Sequence, residues 1–134
     1  MKAAEVLKEI MTLGLSLDKF YVSGDAALVL YGIKEEIEEI NLFICVELFN
    51  KLREGKRIDF VVTEDKRPYI LDGKENVKVV TKNKGDFKCV KIGDLYIEDI
   101  NKIYKSKMKN KKKNKQDIKK IEQFLKQYPN YPNF

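Results

Sequence analysis

The chain has 134 residues, 43% of them hydrophobic, which suits one globular domain with a sizeable core. It contains no histidine, which excludes His-based triads, histidine general bases and most zinc sites, so any metal would be a hard cation on carboxylates, such as magnesium. Formal net charge is +6, but nine lysines and one acid, Asp117, fall between Lys105 and Lys120; that segment carries +8 and the remainder −2, so the basicity is local.

In chain order, Ala3, Val6, Leu7, Ile10 and Met11 recur at helical spacing and predict a helix over 2–13, ended by Gly14. Phe20, Tyr21 and Val22 predict a short strand. Ser23-Gly24-Asp25 reads as a turn that opens a helix from Ala26 to Tyr31, closed by Gly32. "INLFICV", Ile40 to Val46, reads as a strand apolar on both faces, as in the middle of a covered sheet. A short helix follows over Glu47–Arg53, and "RIDFVV", Arg57 to Val62, reads as another strand with one acid inside it. The middle is β-rich, with strands predicted at Tyr69–Leu71, Val77–Thr81 and Phe87–Ile92 between Gly- and Asn-containing turns. Leu95–Ile97 extends the last into a hairpin. Helices are predicted over Glu98–Met108 and Lys115–Gln127, joined by the lysine-rich segment, and the tail "YPNYPNF" is irregular.

These elements predict a single α/β (or α+β) domain over 1–134. Residues 1–97 form its sheet core with helices, 98–127 a C-terminal helical pair and 128–134 the tail. Cys45 and Cys89 lie in apolar, strand-like runs with no CxxC, as expected of two buried free thiols in a reducing compartment. No N-terminal run reads as a signal peptide, and nothing approaches the ~20 apolar residues that span a bilayer. The expectation is a cytoplasmic protein with no membrane partner.

Three features point to chemistry. Ser23-Gly24 before a helix is a turn that lets a phosphate approach the backbone. In Glu39-Ile40-Asn41 the two oxygen-bearing side chains fall on one side of a strand and could share a divalent ion. Asp59 is an acid in an apolar strand, which is costly unless paired or metal-bound, so it is expected at a sheet end or edge.

In this order residues 21–62 resemble the nucleotidyltransferase superfamily, the polymerase-β-like fold. "VSGDAALVLYGI" is similar to its strand–Gly-Ser (or Gly-Gly)–helix segment, "EEINLFI" to its Asp-x-Asp strand and "RIDFVV" to the strand with its third acid. The C-terminal "YIEDINKIYKSKMKNKKKNKQDIKKIEQFL" is similar to helices of small members, with Lys107 and Asp117 at matching places. The resemblance implies a mixed sheet flanked by helices. It also implies metal ligation by Glu39, Asn41 and Asp59, catalysis by Glu39 and Asp59, and nucleotide contacts from Ser23, Gly24, Asp25, Lys107 and Asp117. Its cofactors would be Mg²⁺ and an NTP.

The departures have consequences. Asn41 is neutral where the family has a bridging carboxylate, Glu39 is one methylene longer than Asp, and Asp25 adds negative charge where phosphate would arrive. Together they favour a degenerate, catalytically weak or inactive relative acting through binding, whether regulatory, toxin–antitoxin-like or phage-related, with a protein partner. Two alternatives stand beside it. One is an active Mg-dependent enzyme moving NMP from an NTP to a small molecule, protein or RNA. The other is a nucleic-acid-binding module using Lys105–Lys120. Glu35, Glu36 and Glu38 read as solvated loop acids, and Tyr21, Tyr31, Phe43 and Phe60 as core.

Overall fold

A computed structural model describes residues 1–59, 69–129 and 131, with only the backbone at Asp59. Among the described residues, five α-helices accompany one mixed sheet of seven strands, the α/β architecture expected. The elements are α1 (Ala3–Thr12), β1 (Phe20–Ser23), α2 (Gly24–Leu30), β2 (Ile40–Ile44), α3 (Val46–Glu54), β3 (Ile58–Asp59), β4 (Tyr69–Leu71), β5 (Lys74–Thr81), β6 (Cys89–Ile92), β7 (Leu95–Glu98), α4 (Ile100–Met108) and α5 (Lys115–Gln127). No helix among the described residues is long and apolar enough to cross a membrane.

The strand order is β3-β4-β5-β2-β1-β7-β6. β1 runs antiparallel to β2 and parallel to β7, while β2 runs parallel to β5. The outer pairs β3–β4, β4–β5 and β6–β7 are antiparallel. Thus β1 and β2, the strands that flank α2, occupy the middle of the sheet.

Alternation along these strands separates two faces. Ile40, Leu42 and Ile44 of β2 and Val77 and Val79 of β5 are buried, and with Val22, Ala26, Leu28 and Ile10 they form the core. α2 packs across β1, β2 and β7, and α1 packs on α2. Asn41, Phe43, Lys78 and Val80 point to the opposite face, which is only half-covered. The strand expected to be apolar on both faces is therefore fully buried on one. It is also shorter than predicted. Cys45 is extended and donates its N–H to the Lys19 carbonyl (2.9 Å), and Val46 already begins α3.

Other boundaries shift for local reasons. α1 buries Val6 and Ile10 but leaves Leu7 and Met11 on the surface, 43% and 50% exposed, so its apolar stripe is narrower than the sequence pattern. β5 begins at Lys74 because the Asp72-Gly73 turn, with both residues at positive φ, folds straight into it. Glu98 belongs to β7, and Asp99 caps α4 by accepting from the Asn101 N–H (2.8 Å). β3 lies at the sheet edge, as expected for a strand carrying an acid; residues 60–62 of that predicted strand, Phe60 included, lie outside the described residues. Both cysteines are free, Cys45 buried and Cys89 partly so.

Two side-chain clamps tie distant segments together. The Arg57 guanidinium donates twice to the Asp72 carboxylate (2.8 and 2.7 Å) and once to the Leu13 carbonyl (2.9 Å), joining the ends of α1 and α3 to the β4–β5 turn. The Tyr31 hydroxyl donates to the Glu98 carbonyl (2.8 Å) and shares a 2.7 Å hydrogen bond with Tyr131. Its ring also meets Phe124 of α5 at 5.6 Å. This cluster fastens α5 to the end of α2.

Candidate functional site

The β1–α2 turn is the pivot of the site. Gly24 has φ +57°, a left-handed conformation, and a Cβ there would meet nothing within 4 Å, so the need for glycine is conformational. The Ser23 hydroxyl donates to the Asn41 carbonyl (3.1 Å) and is nearly buried. The Gly24 N–H donates to the Glu98 carboxylate (2.8 Å). Burial pushes the Glu98 carboxyl above its ordinary range, and the Gly24 hydrogen bond offsets part of that rise. A carboxylate from β7 thus occupies the amide that the sequence assigned to phosphate. Glu98 was invisible as a site residue, because its register places it at the start of a predicted helix.

On one side of this turn lies an acidic cleft of about 350 Å³, lined by Asp25, Lys34, Glu36, Glu38, Glu39 and Asn41. Glu36 and Glu38, read as solvated loop acids, therefore share a cleft with the site residues. Glu39 and Asn41 meet in this cleft, as their spacing predicts. The Glu39 carboxylate, however, accepts from Lys78 (2.8 Å) of the adjoining strand β5.

Lys107 and Asp117, assigned by resemblance, come together with Asp25. The Lys107 ammonium donates to Asp25 (2.7 Å) and Asp117 (3.0 Å), while the Lys34 ammonium lies 3.4 and 3.7 Å from the same two carboxylates. Two lysines and two aspartates cancel. Burial works against ionisation of Asp25, yet Lys107 and Lys34 outweigh it and hold the carboxyl below its usual range. Burial likewise opposes the Lys107 charge, and the two carboxylates reverse that and raise its pKa.

Asp59 stands apart in the backbone. The register Ser23–Asn41–Lys78–Ile70–Asp59 crosses the sheet in a single row, which puts Asp59 three strands from Asn41. At ordinary strand spacing that is ~14 Å between Cα atoms. The strand next to β2 presents Lys78 in that row, a cation where a third acid would be close. The Asp59 side chain lies outside the described residues, and among the described residues no group of three or more His, Cys, Asp or Glu is placed to hold a metal.

On the other side of the turn is a second cleft of about 420 Å³ with the opposite charge. Lys82, just past the end of β5, Lys102 and Lys105 of α4, and Lys109, which caps the C-terminus of α4, line it with Phe43 and Glu98. The Lys82 ammonium lies 5.0 Å from the centroid of the Phe43 ring and donates to the Tyr21 hydroxyl (3.4 Å), so it is positioned by aromatic groups and not by an acid. Tyr21 is a fully buried core residue, stacked on Phe43 at 5.2 Å. Lys82 and Lys102 had no sequence signal as a pair; only the fold brings the end of β5 to α4.

Searches against protein-family models, curated proteins and solved structures find no match to the chain.

Proposed function

We propose that the chain is a nucleotidyltransferase-like protein that acts through binding and does not run ordinary two-metal nucleotidyl transfer. The observation that carries this reading is the internal pairing of charge: Glu39 with Lys78, and Lys107 with Asp25 and Asp117. A divalent ion at Glu39 and Asn41 would displace an ammonium and gain one carboxylate. Magnesium gives up water reluctantly and prefers converging carboxylates, so the exchange is unfavourable. A triphosphate reaching Lys107 would meet Asp25 and Asp117 on the same nitrogen. The succession β1–α2–β2, with Ser23 beside Asn41, supports the family frame.

Calorimetric titration of ATP and the other NTPs, with and without Mg²⁺, tests this on wild type and Asp59→Ala. The expected result is no Mg²⁺-dependent gain in affinity for any NTP. Mg²⁺-dependent binding that vanishes in Asp59→Ala, or nucleotide transfer lost in Glu39→Ala, overturns the reading.

A further inference from the structure

We infer that the basic cleft between the β1–α2 turn, the end of β5 and α4 binds a single-stranded polynucleotide through its phosphates. This rests on the reading of the chain as a binding protein and names its ligand class.

The first ground is uncompensated charge. Lys19, Lys34, Lys74, Lys78 and Lys107 each lie within 4.0 Å of a carboxylate. Lys82, Lys102, Lys105 and Lys109 form no ion pair with a described carboxylate, yet they converge on one cleft. Glu98 is the acid in its lining, and its carboxylate is turned to the Gly24 N–H. Glu98 offsets part of the charge of Lys82 and Lys102, but four ammonium groups against one carboxylate leave the cleft with a net positive charge, and an anion relieves the remaining repulsion.

The second ground is shape. Lys102, Lys105 and Lys109 follow i, i+3, i+7 spacing, which aligns them along one side of α4 over about 10 Å of its axis. Past Lys109 the chain adds Lys111, Lys112 and Lys113, all exposed in the α4–α5 turn, with Lys111 lining a separate groove beside Lys115 and Lys119. Basic charge that extends past the cleft suits a run of phosphates better than a single one. The acidic cleft across the turn repels the same backbone and confines the strand to one side.

The third ground is the cleft floor. Phe43 gives an apolar surface beneath the lysines, on which an unstacked base can rest while Lys82 moves to a phosphate. A duplex has no free base to offer it.

The test is fluorescence anisotropy with an end-labelled single-stranded RNA of about 12 nucleotides, within the range of single-strand sites. Salt is titrated, and ATP and a duplex of the same length serve as competitors. Lys102→Gln/Lys105→Gln removes two cleft charges, and Lys119→Gln/Lys120→Gln removes two from α5. Circular dichroism confirms that each variant is folded. For four phosphate contacts, log affinity should fall against log salt with a slope of about −3, and with about half that in the cleft variant. At low salt the cleft variant should lose at least about tenfold in affinity and the α5 variant less than about twofold. Four results overturn the proposal: no binding at low salt, equal losses in both variants, displacement by ATP at matched phosphate concentration, or equal competition by duplex. Mg²⁺-dependent transfer by the wild type would overturn the binding reading and leave this measurement unaffected. Absence of strand binding would remove this ligand and leave that reading in place.

Discussion

Replacing Lys107 with Met keeps the length of the side chain and removes its charge. Two charge-assisted hydrogen bonds, at 2.7 and 3.0 Å, are lost. Stripping one partner from a buried ion pair costs about 3–5 kcal/mol. Here the Lys107 and Asp117 side chains are 16% and 19% exposed, but Asp25 is 41% exposed and Lys34 stays within 3.7 Å of both acids. Solvent screening and the remaining ammonium reduce the loss to about 2 kcal/mol at pH 7. In a chain of this size that lowers Tm by about 6–10 °C. The loss has a pH signature. The wild-type Asp25 carboxyl is depressed, so its contribution is present above its unfolded pKa, near the ordinary 3.8, and is lost as pH falls through the folded value. The Lys107 pKa is raised, so its contribution is present below the ordinary 10.5 and fades only as pH rises through the folded value. The difference between wild type and Lys107→Met should therefore be steady at neutral pH and shrink below about pH 4. Urea unfolding followed by far-ultraviolet circular dichroism across this range measures it. A difference under about 0.5 kcal/mol at pH 7 that does not vary with pH would refute the reasoning and leave Lys107 free for a ligand.

Other outcomes follow from the same structure. Glu98→Gln keeps an acceptor for the Gly24 N–H and removes a carboxylate whose ionisation burial penalises. Its stability at pH 7 should match the wild type or exceed it by about 1 kcal/mol, and the advantage should shrink as pH falls through the raised folded Glu98 pKa and vanish below the ordinary 4.5 of the unfolded chain. A clear destabilisation at pH 7 would mean the ionised carboxylate is required. Gly24→Ala meets no steric obstacle, so thermal unfolding should show only the left-handed backbone cost, about 1 kcal/mol, with Gly24→Asn costing less. Ile10→Ala should cost about 2–5 kcal/mol in urea unfolding, while Met11→Gln, one residue on, should change stability by under about 0.5 kcal/mol.

Much of the fold was legible because periodicity and turn residues act locally. The stretches around α1, β1, β4 and α5, and the β6–β7 hairpin, follow from apolar spacing and Gly- or Asn-containing turns. What the pattern missed was set by tertiary packing. Leu7 and Met11 match the helical period as well as Val6 and Ile10 do, and only the position of α2 decides which pair is buried. Val46 looks like strand, but the Lys19 carbonyl holds Cys45 as the cap of α3. At the site, resemblance brought Lys107, Asp117 and Asp25 together, residues up to 92 positions apart in the sequence. It did not reveal that they neutralise one another, because sign and distance are set by side-chain geometry. Lys78 opposite Asn41, Glu98 at Gly24, and Lys82 beside α4 all depend on strand order, which alternation along a single strand does not encode.

The parallel pairing of β1 with β7 has a kinetic side. β1 can find β2 across a short connection through α2, but the Gly24–Glu98 contact joins residues 74 positions apart. Contacts of that span carry a large loop-closure cost and belong to slowly folding topologies. During synthesis β1 therefore waits with one edge open until β7 emerges, and the basic cleft exists only after α4 has followed it. A ligand of that cleft recognises the finished fold alone, so it stabilises the completed chain by mass action and gives nothing to its partly folded forms.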